Sequence, residues 1–82
     1  MTVGRERWYV IGCPERNMYM HWKGDHVSGT YTDTGDTDDA ERFDTRRDAV
    51  RAMRDEDVAH YLDNRRNLGI RVCRVERVTR AT

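Results

Sequence analysis

FDTRRDAVRAMRDEDVAHYLDNRRNLG, Phe43 to Gly69, is the stretch on which the fold turns. Ala49, Val50 and Met53 recur at helical spacing and mark an apolar stripe. The stripe fails at Arg54-Asp55-Glu56-Asp57, where one continuous helix would carry Asp57 into the apolar face. A second phase begins with Val58, Tyr61 and Leu62. The pattern therefore predicts either a kinked helix or two short ones, over about 45–54 and 56–65. Asp44 or Thr45 is placed to cap the first, because a side-chain oxygen there takes up a backbone N–H that the helix leaves orphaned. Thr45-x-x-Asp48 has the spacing of a weak capping box, and Asp55 is the candidate cap of the second helix. Asn67-Leu68-Gly69 closes the region, with glycine offering a left-handed exit.

Apolar, strand-like runs flank this segment. RWYVIGC (7–13) is β-branched and aromatic, PERN (14–17) is a turn, and MYMHWK (18–23) reads as a second strand antiparallel to the first. Alternation puts Met18, Met20 and Trp22 on one face, Tyr19 and His21 on the other. GDH (24–26) breaks the chain, and VSGTYT (27–32) is a third, weaker strand. IRVCRVERVT (70–79) is the last strand, expected to return beside the first and to bring Cys13 near Cys73. Arg71, Arg74, Arg77 and Arg80 repeat every three residues, which a period-two strand spreads over both faces. Either a bulge rephases the strand or its far end leaves the sheet. The order β-β-(β)-α-(α)-β predicts an α+β fold: a small antiparallel sheet of three or four strands, with the helical segment packed on one face. Trp8, Val10, Met20, Trp22, Phe43, Val50, Met53, Leu62 and Val72 are the expected core.

At 82 residues the chain, 1–82, reads as a single domain, small enough that a second copy could complete its core. Hydrophobic and charged residues each make up 37%, so the surface is heavily ionic. Formal net charge is zero, which removes a global field toward nucleic acid or membrane. No apolar run approaches a membrane span and no long apolar leader is seen, so the cytoplasm is expected. Cys13 and Cys73 sit in apolar runs and read as free, buried thiols. His21, His26 and His60 form no metal-ligand spacing, and no cofactor motif is present.

Residues 30–45, TYTDTGDTDDAERFDT, hold six of the fifteen acidic side chains. Asp33-Thr34-Gly35 is the tripeptide of aspartic proteases, and the segment faintly resembles the retroviral type. Its flanks are polar and no glycine-rich flap follows, so no catalytic residue is assigned. An EF-hand does not match Asp36, Asp38, Asp39 and Glu41 either. Two readings are left: a solvated connection rich in turn formers, or an acidic recognition patch of Asp33, Asp36, Asp38, Asp39 and Glu41.

Residues 33–44 carry a net −5 and residues 65–82 a net +5, so the zero total hides two opposed poles. The basic residues are fourteen arginines and one lysine. Arg65, Arg66, Arg71, Arg74 and Arg77 form a candidate phosphate grip, with Tyr9 and Tyr19 able to stack bases if their faces reach solvent.

DDAERFDTRRDAVRAM (38–53), an acidic turn, Ala-x-Arg-Phe-Asp-Thr and a charged helix start, resembles small phage and prophage proteins, some of which are anti-CRISPR or other anti-defence inhibitors. The resemblance implies a non-enzymatic binding protein in the bacterial host cytoplasm. Its partner would be a host protein complex, nucleic-acid-binding machinery, whose basic groove the acidic patch covers. The alternative is a direct, arginine-mediated nucleic-acid-binding protein. A monomer or a homodimer fits either reading, and no membrane is involved.

Overall fold

The structure is a computed structural model that describes residues 5–25, 27–69 and 74–81. Strand β1 (Arg5–Cys13) turns through one 3-10 turn (Pro14–Arg16) into β2 (Met18–Gly24). Asn17 closes that turn in the left-handed region, φ 53°, a conformation asparagine tolerates. β3 is Gly29–Thr34, α1 Arg46–Ala52, α2 Glu56–Asn67 and β4 Arg74–Ala81. The strands form one antiparallel sheet in the order β3-β2-β1-β4, so the α+β expectation holds and the last strand does return beside the first. Cys13 is buried and free; Cys73, Val72, Arg71 and His26 lie outside the described residues.

The helical segment does split. Thr45 rather than Asp44 caps α1, its Oγ1 accepting from Asp48 N–H at 3.1 Å. Asp55 stands at the N-cap of α2 but makes no side-chain capping bond. Gly69 supplies the left-handed exit at φ 83°.

Both helices contribute to a core under one face of the sheet. Ile11, Met20, Ala49, Val58, Tyr61 and Leu62 are buried there, with Tyr9, Tyr31, Phe43, Met53 and Val75 packed around them. Trp22, Phe43 and Met53 are only half-buried, and Val50 is 45% exposed. Val50 belongs to the apolar stripe that the sequence marks with Ala49 and Met53, and its exposure corrects that expectation. With Ala49 turned inward, a rotation of about 100° per residue swings Val50 toward solvent together with residues 47, 51 and 54.

The opposite face has its own cluster, Trp8, Val10, Tyr19 and Ala40. Tyr19 is therefore no solvent-facing stacking platform: it is 8% exposed. It lies against Gly12, where an added Cβ would stand 2.8 Å from the Tyr19 ring and 2.4 Å from Met18 O. Only glycine lets the hairpin close that tightly.

The joint between the two faces is unusual. β1 and β2 pair at Gly12↔Tyr19 and Cys13↔Met18, beside the turn. Further along, the 41–43 segment takes over the pairing. Glu41 N–H donates to Met20 O at 2.9 Å, Phe43 N–H to Tyr9 O at 2.9 Å, and Tyr9 N–H to Phe43 O at 2.8 Å. Ala40 is buried on the second face while Phe43 packs on the helix face. The chain thus passes from one face to the other between β1 and β2, and takes up backbone groups of Tyr9 and Met20 on the way.

Candidate binding surfaces

The acidic segment is the thread that makes this passage, and its carboxylates meet different fates. Asp33, near the end of β3, points into the helix side. Its Oδ1 accepts from Tyr61 Oη–H at 2.6 Å and from Arg65 Nε–H at 2.8 Å. The Arg65 and Asp33 side chains are 15% and 28% exposed. Both residues therefore serve the fold, one removed from the acidic patch and the other from the arginine grip.

Asp36, Asp38 and Asp39 sit on an exposed turn. Asp36 holds it: its carbonyl accepts from Asp39 and Ala40 N–H, and its Oδ1 accepts from Asp38 N–H at 2.9 Å. His21 donates its Nδ1–H to the Asp39 carbonyl, and buried Ala40 anchors the far side. Asp38 is shared with Arg80 at 3.1 Å and Arg42 at 3.8 Å. Glu41 is half-buried.

The carboxyl-terminal arginines are largely spent as well. Arg66 pairs with Asp63, Arg74 with Glu15 at 2.8 Å and Glu76 at 3.3 Å, and Arg80 with Glu6 at 2.8 Å. The β1–β4 ladder is regular from Arg5↔Ala81 to Gly12↔Arg74. Neither a bulge nor a departure from the sheet is needed over these residues. Arg74 and Arg80 share the Trp8 face, and Arg77, opposite Tyr9, shares the helix face. Arg77 has no ion-pair partner among the described residues. The two poles expected from sequence therefore meet in part inside the fold, through Asp33–Arg65 and Asp38–Arg80.

A different basic surface lies on α1. Arg46, Arg47, Arg51 and Arg54 surround the exposed Val50 and line a shallow, open groove of about 470 Å³. None of the four makes an ion pair among the described residues. Arg46 also lies over the Tyr9 ring, 5.4 Å from its centroid, and Tyr9 is the cross-strand neighbour of Arg77. Arg46 thus sets one end of the groove beside Arg77, a strand arginine that, like Arg7, has no ion-pair partner among the described residues. This surface was missed because RRDAVRAMR was read for its apolar stripe. The signal that would have found it is the far side of the same helix, set once Ala49 alone is taken as the inward residue.

Tyr61 links the acidic segment to α2, and its ionisation is displaced. Burial, with the bond to the Asp33 carboxylate, holds the phenol well above its ordinary range. Tyr31 is raised as well, by burial first and then by Glu41, Asp55 and Asp57. A raised folded-state pKa means stability that is complete below the unfolded value, about 10, and lost as pH climbs past it. Alkaline titration should therefore begin to unfold the protein above about pH 10. Tyr61→Phe should flatten that limb, measured by far-ultraviolet circular dichroism between neutral and strongly alkaline pH.

No family model, curated protein or solved structure matches the chain. No helix of the described residues is long and apolar enough to cross a membrane, and among them no group of three or more His, Cys, Asp or Glu side chains could hold a metal ion.

Proposed function

We propose that this chain is a binding protein without catalytic chemistry, whose arginine face on α1 takes the phosphates of a nucleic acid. One observation carries the reading. Arg46, Arg47, Arg51 and Arg54 share one groove without a carboxylate partner among the described residues, whereas the described arginines of 65–82, except Arg77, are paired. The guanidinium fork suits phosphate oxygens. A local cluster draws a polyanion at short range even where net charge is zero. Arg77 and the Arg46–Tyr9 stack extend the same face.

Titration of labelled single-stranded and duplex oligonucleotides tests this. Binding should weaken with salt at a log–log slope of about −3 to −4 on duplex, as contacts to about four phosphates require. Arg47→Ala/Arg51→Ala/Arg54→Ala should remove about 2–3 of that slope. An Arg66→Ala/Arg74→Ala control should leave it unchanged. Absence of a shift at low salt ends the proposal.

A second reading keeps the acidic turn as the contact, with the chain acting as an anti-CRISPR-like inhibitor of a bacterial defence complex. The observation in its favour is the pinning of Asp36, Asp38 and Asp39 by the Asp36 carboxylate, His21 and Ala40. A turn ordered in advance loses little entropy on docking. Under this reading Asp36→Asn/Asp39→Asn removes co-purification with the host complex and the α1 arginine changes do not.

A further inference from the structure

Between the edge strand β3 and helix α2 lies a recess of about 120 Å³ whose walls include Trp22, Tyr31, Tyr61, Asp57, His60 and Arg65. Its three aromatic rings are steeply inclined. Tyr31 stands 5.0 Å from Trp22 at 71° and 6.5 Å from Tyr61 at 64°, centroid to centroid. Rings set this way close several sides of one space and offer a guest more than one π cloud.

The charges around it select the guest. Arg65 is already committed: its Nε–H is 2.8 Å from Asp33 Oδ1, and its guanidinium lies 4.6 Å from the Tyr61 ring centroid. That contact shows a ring of this wall already accepting a cation. With Arg65 balanced by Asp33, Asp57 is the remaining carboxylate on the wall. Asp57 has no ion-pair partner among the described residues. Tyr31 reports the same negative field, since after burial the carboxylates of Glu41, Asp55 and Asp57 are what hold its phenol up.

We infer that this recess binds a small organic cation, a trimethylammonium or similar alkylated ammonium group. An anion or a nucleic-acid phosphate would meet Asp57. A primary ammonium would surrender a stronger hydration shell, which the rings do not replace and for which it would depend on Asp57, Asn64 and Thr30. An alkylated ammonium has little hydration to lose and matches aromatic walls with one carboxylate. The head is common to free choline-type solutes and to methylated lysine side chains. β3 is an edge strand, so an extended peptide can lie along it and deliver such a side chain. The site is independent of the arginine face on α1, and its test does not depend on that reading.

The experiment is a titration of the isotope-labelled protein with choline chloride, followed by the two indole N–H resonances. Sodium chloride at matched ionic strength and the neutral isostere 3,3-dimethylbutan-1-ol are the controls. The expected result is a saturable shift of the Trp22 indole with a Kd of about 1 mM, and a response to the isostere at least about tenfold weaker. Trp8, buried on the opposite face, should stay still and so reports an intact fold. Asp57→Asn, at an exposed position, should weaken choline about three- to tenfold while leaving Trp8 unchanged. Tyr31→Leu should abolish the shift. A trimethyl-lysine peptide binding more tightly than choline identifies a side-chain source, and equal binding identifies a free solute. An unsaturated or absent Trp22 response at about 50 mM choline, or equal binding of the neutral isostere, overturns the inference.

Discussion

Replacing Ile11 with alanine should cost about 2–5 kcal/mol, among the largest effects expected of a single change. Ile11 is fully buried, packs with Met20, Ala49, Val58 and Leu62, and lies opposite Val75 in the ladder. Deleting its branched side chain removes transfer free energy and leaves a cavity where sheet and both helices meet. An 82-residue domain has about 4–12 kcal/mol of stability in all. In urea, with a slope near 1 kcal/mol per molar, the midpoint should therefore fall by about 2 M or more. Val50→Ala is the companion measurement. It should stay within about 0.5 kcal/mol because Val50 faces solvent. If Val50→Ala costs as much as Ile11→Ala, the rotation of α1 described above is wrong, and the arginine groove with it.

Asp33→Ala should be the most costly change in the acidic segment, about 2–3 kcal/mol. The change strands two donors at once, the Tyr61 hydroxyl and the Arg65 guanidinium, both of which use the same carboxylate oxygen. A neighbour in sequence gives the contrast. Asp38→Ala removes an ion pair to Arg80 whose side chains are 50% and 47% exposed, and should change stability by no more than about 0.5 kcal/mol. Since Asp33 and Tyr61 touch, Asp33→Ala and Tyr61→Phe together should cost less than the sum of the single changes. Equal costs at Asp33 and Asp38 would mean that the whole acidic segment is solvated, as a plain linker would be.

The strands and the broken helix were legible because they rest on local periodicity. Alternation in RWYVIGC and MYMHWK fixes two faces, and Asp57 breaks the stripe read from Val50 and Met53, although Val50 itself faces solvent. Thr45 and Gly69 were legible for the same reason, since a cap and a left-handed exit are decided within a few residues. What was not legible is non-local. The passage of 41–43 between β1 and β2 depends on two strands parting after their turn, which leaves no mark in composition. The poles counted from sequence ignored that Asp33 and Arg65, and Asp38 and Arg80, are distant in the chain and adjacent in the fold. Tyr19 looked like a surface aromatic because alternation tells which residues share a face, and not whether the second face is covered.

The arginine side of α1 is the proposed binding face. Its most direct measurement is a map of arginine Nε–Hε resonances as an oligonucleotide is added at low salt. Arg46, Arg47, Arg51, Arg54 and Arg77 should shift together and saturate at one concentration, while Arg65, Arg74 and Arg80, held by carboxylates, stay in place. Shifts confined to Arg65, Arg74 and Arg80, or no shift at any arginine, would contradict it.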